Sequence, residues 1–76
     1  MFILSKKYIK LGIGRKLKIL RAKTKYSQQD ISDILGVDRN TYANWESGRS
    51  DIKSYFIPKL AKIYNIEIAD LFEFVK

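Results

Sequence analysis

Apolar side chains recur at helical spacing in four separate stretches of this chain, and polar punctuation separates them. Ile13, Leu17 and Leu20 stand at i, i+4 and i+7 with Lys and Arg between them, which predicts a helix from about Gly14 to Lys23. Gly12 and Gly14, poor residues inside a helix, are read as the end of a preceding arm, residues 1–11. Ser27 and Asp30 are spaced for a capping box and Tyr26 and Ile31 for a hydrophobic staple, so a second helix starts at Gln28. Ile31, Ile34 and Leu35 are its predicted inner stripe and Gly36 its left-handed stop. The same grammar repeats at once: Val37 and Tyr42 form a second staple, Asp38 a second cap, Trp45 extends the apolar face, and Gly48 ends the third helix. Two short helices joined so tightly suit a steep crossing angle.

After the polar loop Arg49–Lys53, the residues Ile57, Leu60, Ala61 and Tyr64 mark a fourth helix, with Pro58 confined to its first turn because an interior proline removes a hydrogen bond and clashes. Asn65 ends it. Ile68, Leu71, Phe72 and Val75 mark a last short helix, with Phe72 assigned to the core and Phe74 to an interface. Period-two alternation does not persist, so no strand is expected outside the N-terminal arm. The expectation is an all-α domain of five short helices over residues 12–76.

Composition narrows the chemistry. Without cysteine or histidine, the 76 residues form no disulfide, no thiolate or imidazole zinc site and no histidine-based acid/base pair. A core must therefore come from packing alone, and 46% hydrophobic residues can supply one. Ser50-Asp51-Ile52-Lys53 fits S-x-x-K, and Gly12-Ile13-Gly14 is a G-x-G. The first lacks a companion motif, and the second lacks a third glycine and a preceding strand. The expectation is no enzyme, no metal and no cofactor. Met1–Leu4 is apolar but too short for a signal peptide, and no run approaches a membrane span, which predicts a cytoplasmic protein.

Charge is unevenly placed. The net charge is +7, and Lys6, Lys7, Lys10, Arg15, Lys16, Lys18, Arg21, Lys23 and Lys25 precede the first acidic residue, Asp30. A one-sided positive field suits phosphate backbones or anionic surfaces. On the third helix, Asn40, Asn44 and Ser47 point nearly opposite Tyr42, with Arg39 in the first turn and the small Ala43 beside them. Arg and Asn are the side chains that pair bidentately with guanine and adenine in the major groove.

The stretch Ser27 to Gly48, SQQDISDILGVDRNTYANWESG, resembles the helix-turn-helix of the phage repressor and Cro-like (XRE-type) family of DNA-binding proteins. Ile13-Gly14, Leu17 and Leu20-Arg21 resemble that family's first helix, and Leu60-Ala61-Lys62 with Ile66–Phe72 its closing helices. The resemblance covers about residues 13–74. It implies a five-helix lambda-repressor-like fold and sequence-specific binding of double-stranded DNA. By position it implies base contacts from Arg39, Asn40 and Asn44, and backbone contacts from Gln28, Thr41, Ser47, Arg49 and Ser50. Arg21 and Glu46, charges beside apolar stripes, need partners, and the family pairs the matching residues across the first and third helices. Glu67 stands where the family often has a serine cap, and Ile52 where it often has proline.

The reading is a transcriptional regulator, a repressor, that binds an inverted-repeat operator as a homodimer. Two other classes remain open at this level: an antitoxin-like module whose main partner is a protein, and a basic binder of membrane surfaces or of nucleic acid without sequence preference. The arm, with Phe2, Ile3 and Leu4, is free to lie along DNA, join the core or cover a dimer surface.

Overall fold

A computed structural model of the chain describes residues 6–72, with side chains from residue 12 onward. Four α-helices and two 3-10 helices follow one another: α1 (Lys6–Ala22), α2 (Gln28–Leu35), α3 (Arg39–Ser47), a 3-10 turn (Ser54–Phe56), α4 (Ile57–Ile63) and a closing 3-10 helix (Ile68–Phe72). No strand occurs among the described residues. The expected fifth helix is thus a 3-10 helix, while Phe2, Ile3, Leu4, Phe74 and Val75 lie outside the described residues.

The largest departure from expectation is α1, which starts at Lys6 rather than Gly14 and runs through both glycines. An interior glycine costs a helix only about 1 kcal/mol relative to alanine. Gly14 is there for another reason: α1 crosses α3 so closely that a side chain at this position would meet the backbone carbonyls of Trp45 and Glu46.

The α2–α3 hairpin is built by its ends. The Ser27 hydroxyl accepts from the Asp30 amide at 3.0 Å, and the Asp30 carboxylate accepts from the Ser27 amide at 2.9 Å, closing the expected box. Gly36 and Gly48 take the left-handed conformation at φ 74° and 78° and return their amides to the last turns of α2 and α3. Asp38 holds the N-cap position of α3 but makes no side-chain cap bond. Pro58 falls in the first turn of α4, as its chemistry demands.

Ile13, Leu17, Leu20, Ile31, Tyr42, Trp45, Leu60, Ala61, Tyr64 and Leu71 form one buried cluster drawn from the four α-helices and the closing 3-10 segment, with the half-buried Phe56 packed against it. Three expectations fail at its edge. Ile34 is 54% exposed, and Tyr26, the outer half of the first staple, also stays exposed. On α2 the inward arc is the buried Ile31 and Ser32 with the half-buried Leu35, which places Ile34 about 100° from its centre. Ser32 fits this arc because its hydroxyl donates to the Gln28 carbonyl at 2.7 Å, so the buried oxygen is satisfied. Phe72 is exposed and Leu71 takes the core position instead.

Candidate nucleic-acid interface

At about 100° per residue, Asn40, Asn44 and Ser47 of α3 lie nearly opposite Tyr42, while Arg39 projects from the first turn on the same side as Glu46. Tyr42, Trp45 and Glu46 are buried, Arg39, Asn40 and Ser47 are exposed, and Thr41, Ala43 and Asn44 are half-buried. The outward arc therefore carries planar hydrogen-bonding groups that the core does not use. Among the described residues no side-chain hydrogen bond engages Arg39, Asn40 or the Asn44 carboxamide, whereas the Asn44 carbonyl accepts from the Arg49 amide at 2.9 Å and from the Ser47 hydroxyl at 3.2 Å. The loop after α3 is thus tied to the same residue whose amide faces outward.

An aromatic chain fastens that loop further. Trp45 meets Tyr42 edge-on at 5.9 Å between ring centroids and Phe56 at 5.2 Å, and Phe56 meets Tyr55 at 5.1 Å. Such contacts add to the area each ring buries and hold the loop's return into α4 against α3. As a result Thr41, Asn44, Ser50, Asp51 and Lys53 line one open cleft with Val37, Trp45 and Phe56. Lys53 escaped the sequence reading, because a lysine in a polar loop carries no local signal; the fold of the loop brings it beside Asn44. Arg49 is exposed at the loop's start.

Beneath this face lies the expected ion pair. Arg21 Nε donates to Glu46 Oε2 at 2.7 Å and Arg21 Nη2 to Oε1 at 3.2 Å, joining α1 to α3 by a bidentate fork. Burial by itself pushes the Glu46 carboxyl up, but the hydrogen bonds from Arg21 and Gln28 outweigh it and hold the group below the usual carboxylate range. The Arg21 guanidinium is raised by the same hydrogen bond, against the opposing effect of burial. Gln28, first residue of α2, donates its Nε2 to Glu46 Oε1 at 3.0 Å, a third donor that the sequence did not announce. Deeper still, the Tyr42 and Tyr64 hydroxyls meet at 2.7 Å.

Among the described residues no helix is long and apolar enough to cross a membrane. Comparison with known proteins follows the same outline as the geometry. The model of a helix-turn-helix domain family matches residues 14–74. The chain is 36% identical over 56 residues to the cryptic phage CTXphi transcriptional repressor RstR of Vibrio cholerae, covering 74% of this chain and 50% of that protein. It is 37% identical over 57 residues to the HTH-type transcriptional regulator MJ0272 of Methanocaldococcus jannaschii, covering 75% and 86%. Over 65 residues it is 32% identical to the control protein C.MunI of a Mycoplasma species, covering 84% and 88%. The chain thus spans half the length of the Vibrio repressor and most of the other two. With its capped helix pair, its polar outward arc and these relatives, the chain belongs to the XRE-type helix-turn-helix family of phage repressors and related regulators, a DNA-binding and non-enzymatic class.

Proposed function

We propose that this protein is a repressor that binds an inverted-repeat operator as a homodimer, with α3 lying in the major groove. The observation that carries the reading is the polar side of α3, where Arg39 in the first turn and Asn40 and Asn44 opposite Tyr42 make no side-chain hydrogen bond among the described residues. A guanidinium and two carboxamides in that position match the hydrogen-bonding edges of guanine and adenine. Gln28, Thr41, Ser47, Arg49 and Ser50 flank the arc and hold the sugar-phosphate rails, and Lys53 joins them from the cleft it shares with Asn44. The repressor role takes its support from the Vibrio relative, which is named a transcriptional repressor.

Two-fold symmetry places the paired α3 helices in successive major grooves, with half-sites one helical turn or about 34 Å apart. Selection of bound duplexes from a random pool tests the reading directly. A palindrome with that spacing is expected, and a promoter carrying it should be silenced by the protein. Enrichment of a single half-site would remove the dimer, and enrichment of no sequence would remove base reading by α3. Retention of another protein in place of duplex would favour the protein-interaction class.

A further inference from the structure

Glu46 takes more donors than its ion pair with Arg21 requires. Arg21 already occupies both carboxylate oxygens through Nε and Nη2, at 2.7 and 3.2 Å, and so joins α1 to α3. Gln28 comes from a third element, α2, and adds a 3.0 Å bond to Oε1. Its backbone is held independently, since its carbonyl accepts from the buried Ser32 hydroxyl at 2.7 Å and the preceding Ser27 closes the capping box. The bond to Glu46 therefore acts on the part of Gln28 that those contacts leave free, the carboxamide.

A carboxamide has a donor end and an acceptor end of nearly the same shape, and in solution it presents either. Ionised Glu46 only accepts, so it selects the nitrogen end and fixes which way the amide faces. One Nε2 proton is spent on Glu46, and the second remains. A phosphate oxygen also only accepts, so a Gln28 turned the other way would set its carbonyl against the anion. We infer that Glu46, held by Arg21, is a positioning residue for DNA binding: it orients the Gln28 carboxamide so that its second N–H is available to a phosphate oxygen. The inference rests on the DNA-binding reading above. It makes the ion pair part of the interface as well as of the core, and it places the ordering of one long side chain in folding rather than in association.

The test is a cycle in which Arg21→Met and Glu46→Leu are made together, so that no buried charge is stranded, with and without Gln28→Ala. Affinity for a duplex is read beside the thermal midpoint. The paired change should weaken binding on the order of 3- to 10-fold, for matched and unmatched duplexes alike, and Gln28→Ala in that background should cost nothing more. Equal effects of Gln28→Ala in both backgrounds, or wild-type affinity of the paired variant, would overturn the inference while leaving DNA binding intact. A wild-type protein that retains no duplex would overturn both. Nuclear magnetic resonance of the wild-type Gln28 amide checks the same point without any variant. On adding duplex, one Nε2 proton should move and its Glu46-bound partner should keep its shift; two protons moving together would refute the orientation.

Discussion

Gly14 of α1 and Trp45 of α3 meet backbone against backbone. A methyl group on Gly14 would overlap the Trp45 carbonyl oxygen and lie 2.6 Å from that of Glu46, and neither backbone group can swing aside as a side-chain tip would. Gly14→Ala should thus push α3 off α1. Alanine gains about 1 kcal/mol of helix propensity, but overpacking a close crossing costs about 1–3 kcal/mol. The expected outcome is a net loss of about 1 kcal/mol in urea unfolding with weakened DNA binding, since α3 is the element displaced. A more stable variant would mean that the crossing yields easily.

Arg21 and Glu46 are worth more broken than absent. Arg21→Ala leaves a buried carboxylate side chain, 4% exposed and still bonded to Gln28, without its guanidinium, and a loss of about 3 kcal/mol is expected in denaturant unfolding. Arg21→Met with Glu46→Leu should unfold within about 1 kcal/mol of wild type, because neither charge is then stranded.

Acid should act through the same carboxyl. Glu46 is held below its ordinary value of 4.5 in the folded protein, so as pH falls the unfolded chain takes up the proton first. The stability contributed by the pair is whole above about pH 4.5 and is lost as pH falls from there through the lower, folded-state value. Unfolding free energy measured from pH 6 down to pH 3 should decline over that window, and Glu46→Gln should flatten the decline.

The hydroxyl pair Tyr42–Tyr64 sets the alkaline side. Burial, foremost, raises both phenols above their usual 10, and for Tyr42 the bond to Tyr64 adds to it. The unfolded chain ionises from pH 10 upward while the folded one resists, so stability present below pH 10 falls as pH rises past it. Absorbance titration should show these phenols ionising only as the protein unfolds. Tyr64→Phe, which strands the Tyr42 hydroxyl, should cost about 1–3 kcal/mol, and the double phenylalanine variant should recover part of it.

On DNA, two classes of substitution should separate. Arg39→Ala or Asn44→Ala should relax base preference, at about 1–3 kcal/mol of discrimination for each bidentate pair. Arg49→Ala and Lys53→Ala should weaken binding to every sequence and reduce the salt slope by about one each. Competition titrations at several salt concentrations distinguish the two. A uniform loss from Asn44→Ala would move it from base reading to backbone contact.

Local chemistry was the legible part of this molecule. The Ser27–Asp30 box, the left-handed Gly36 and Gly48 and the first-turn Pro58 each depend on a few neighbouring residues, and each stands where those residues place it. The polar side of α3 was readable for the same reason, since helical rotation alone sets Asn40 and Asn44 nearly opposite Tyr42, although the cleft it shares with Ser50 leaves Asn44 half-buried. Glycine misled at α1 because its penalty inside a helix is small beside what a close crossing recovers. Ile34 misled because periodicity says which residues share a face and not where that face is centred; the neighbours of α2 centred it between Ser32 and Ile31.

The sequence by itself determined that this chain forms helices around an apolar core and that Asn40 and Ser47 of its third helix face away from that core, because caps and rotation about a helix axis act within a turn or two. Only the tertiary structure decided that Gly14 is a contact rather than a break, that Lys53 shares a cleft with Asn44, and that Gln28 completes the shell of Glu46. Those relationships join residues far apart in the chain. They exist only once packing has set the distance between helices, and no pattern along the chain records that distance.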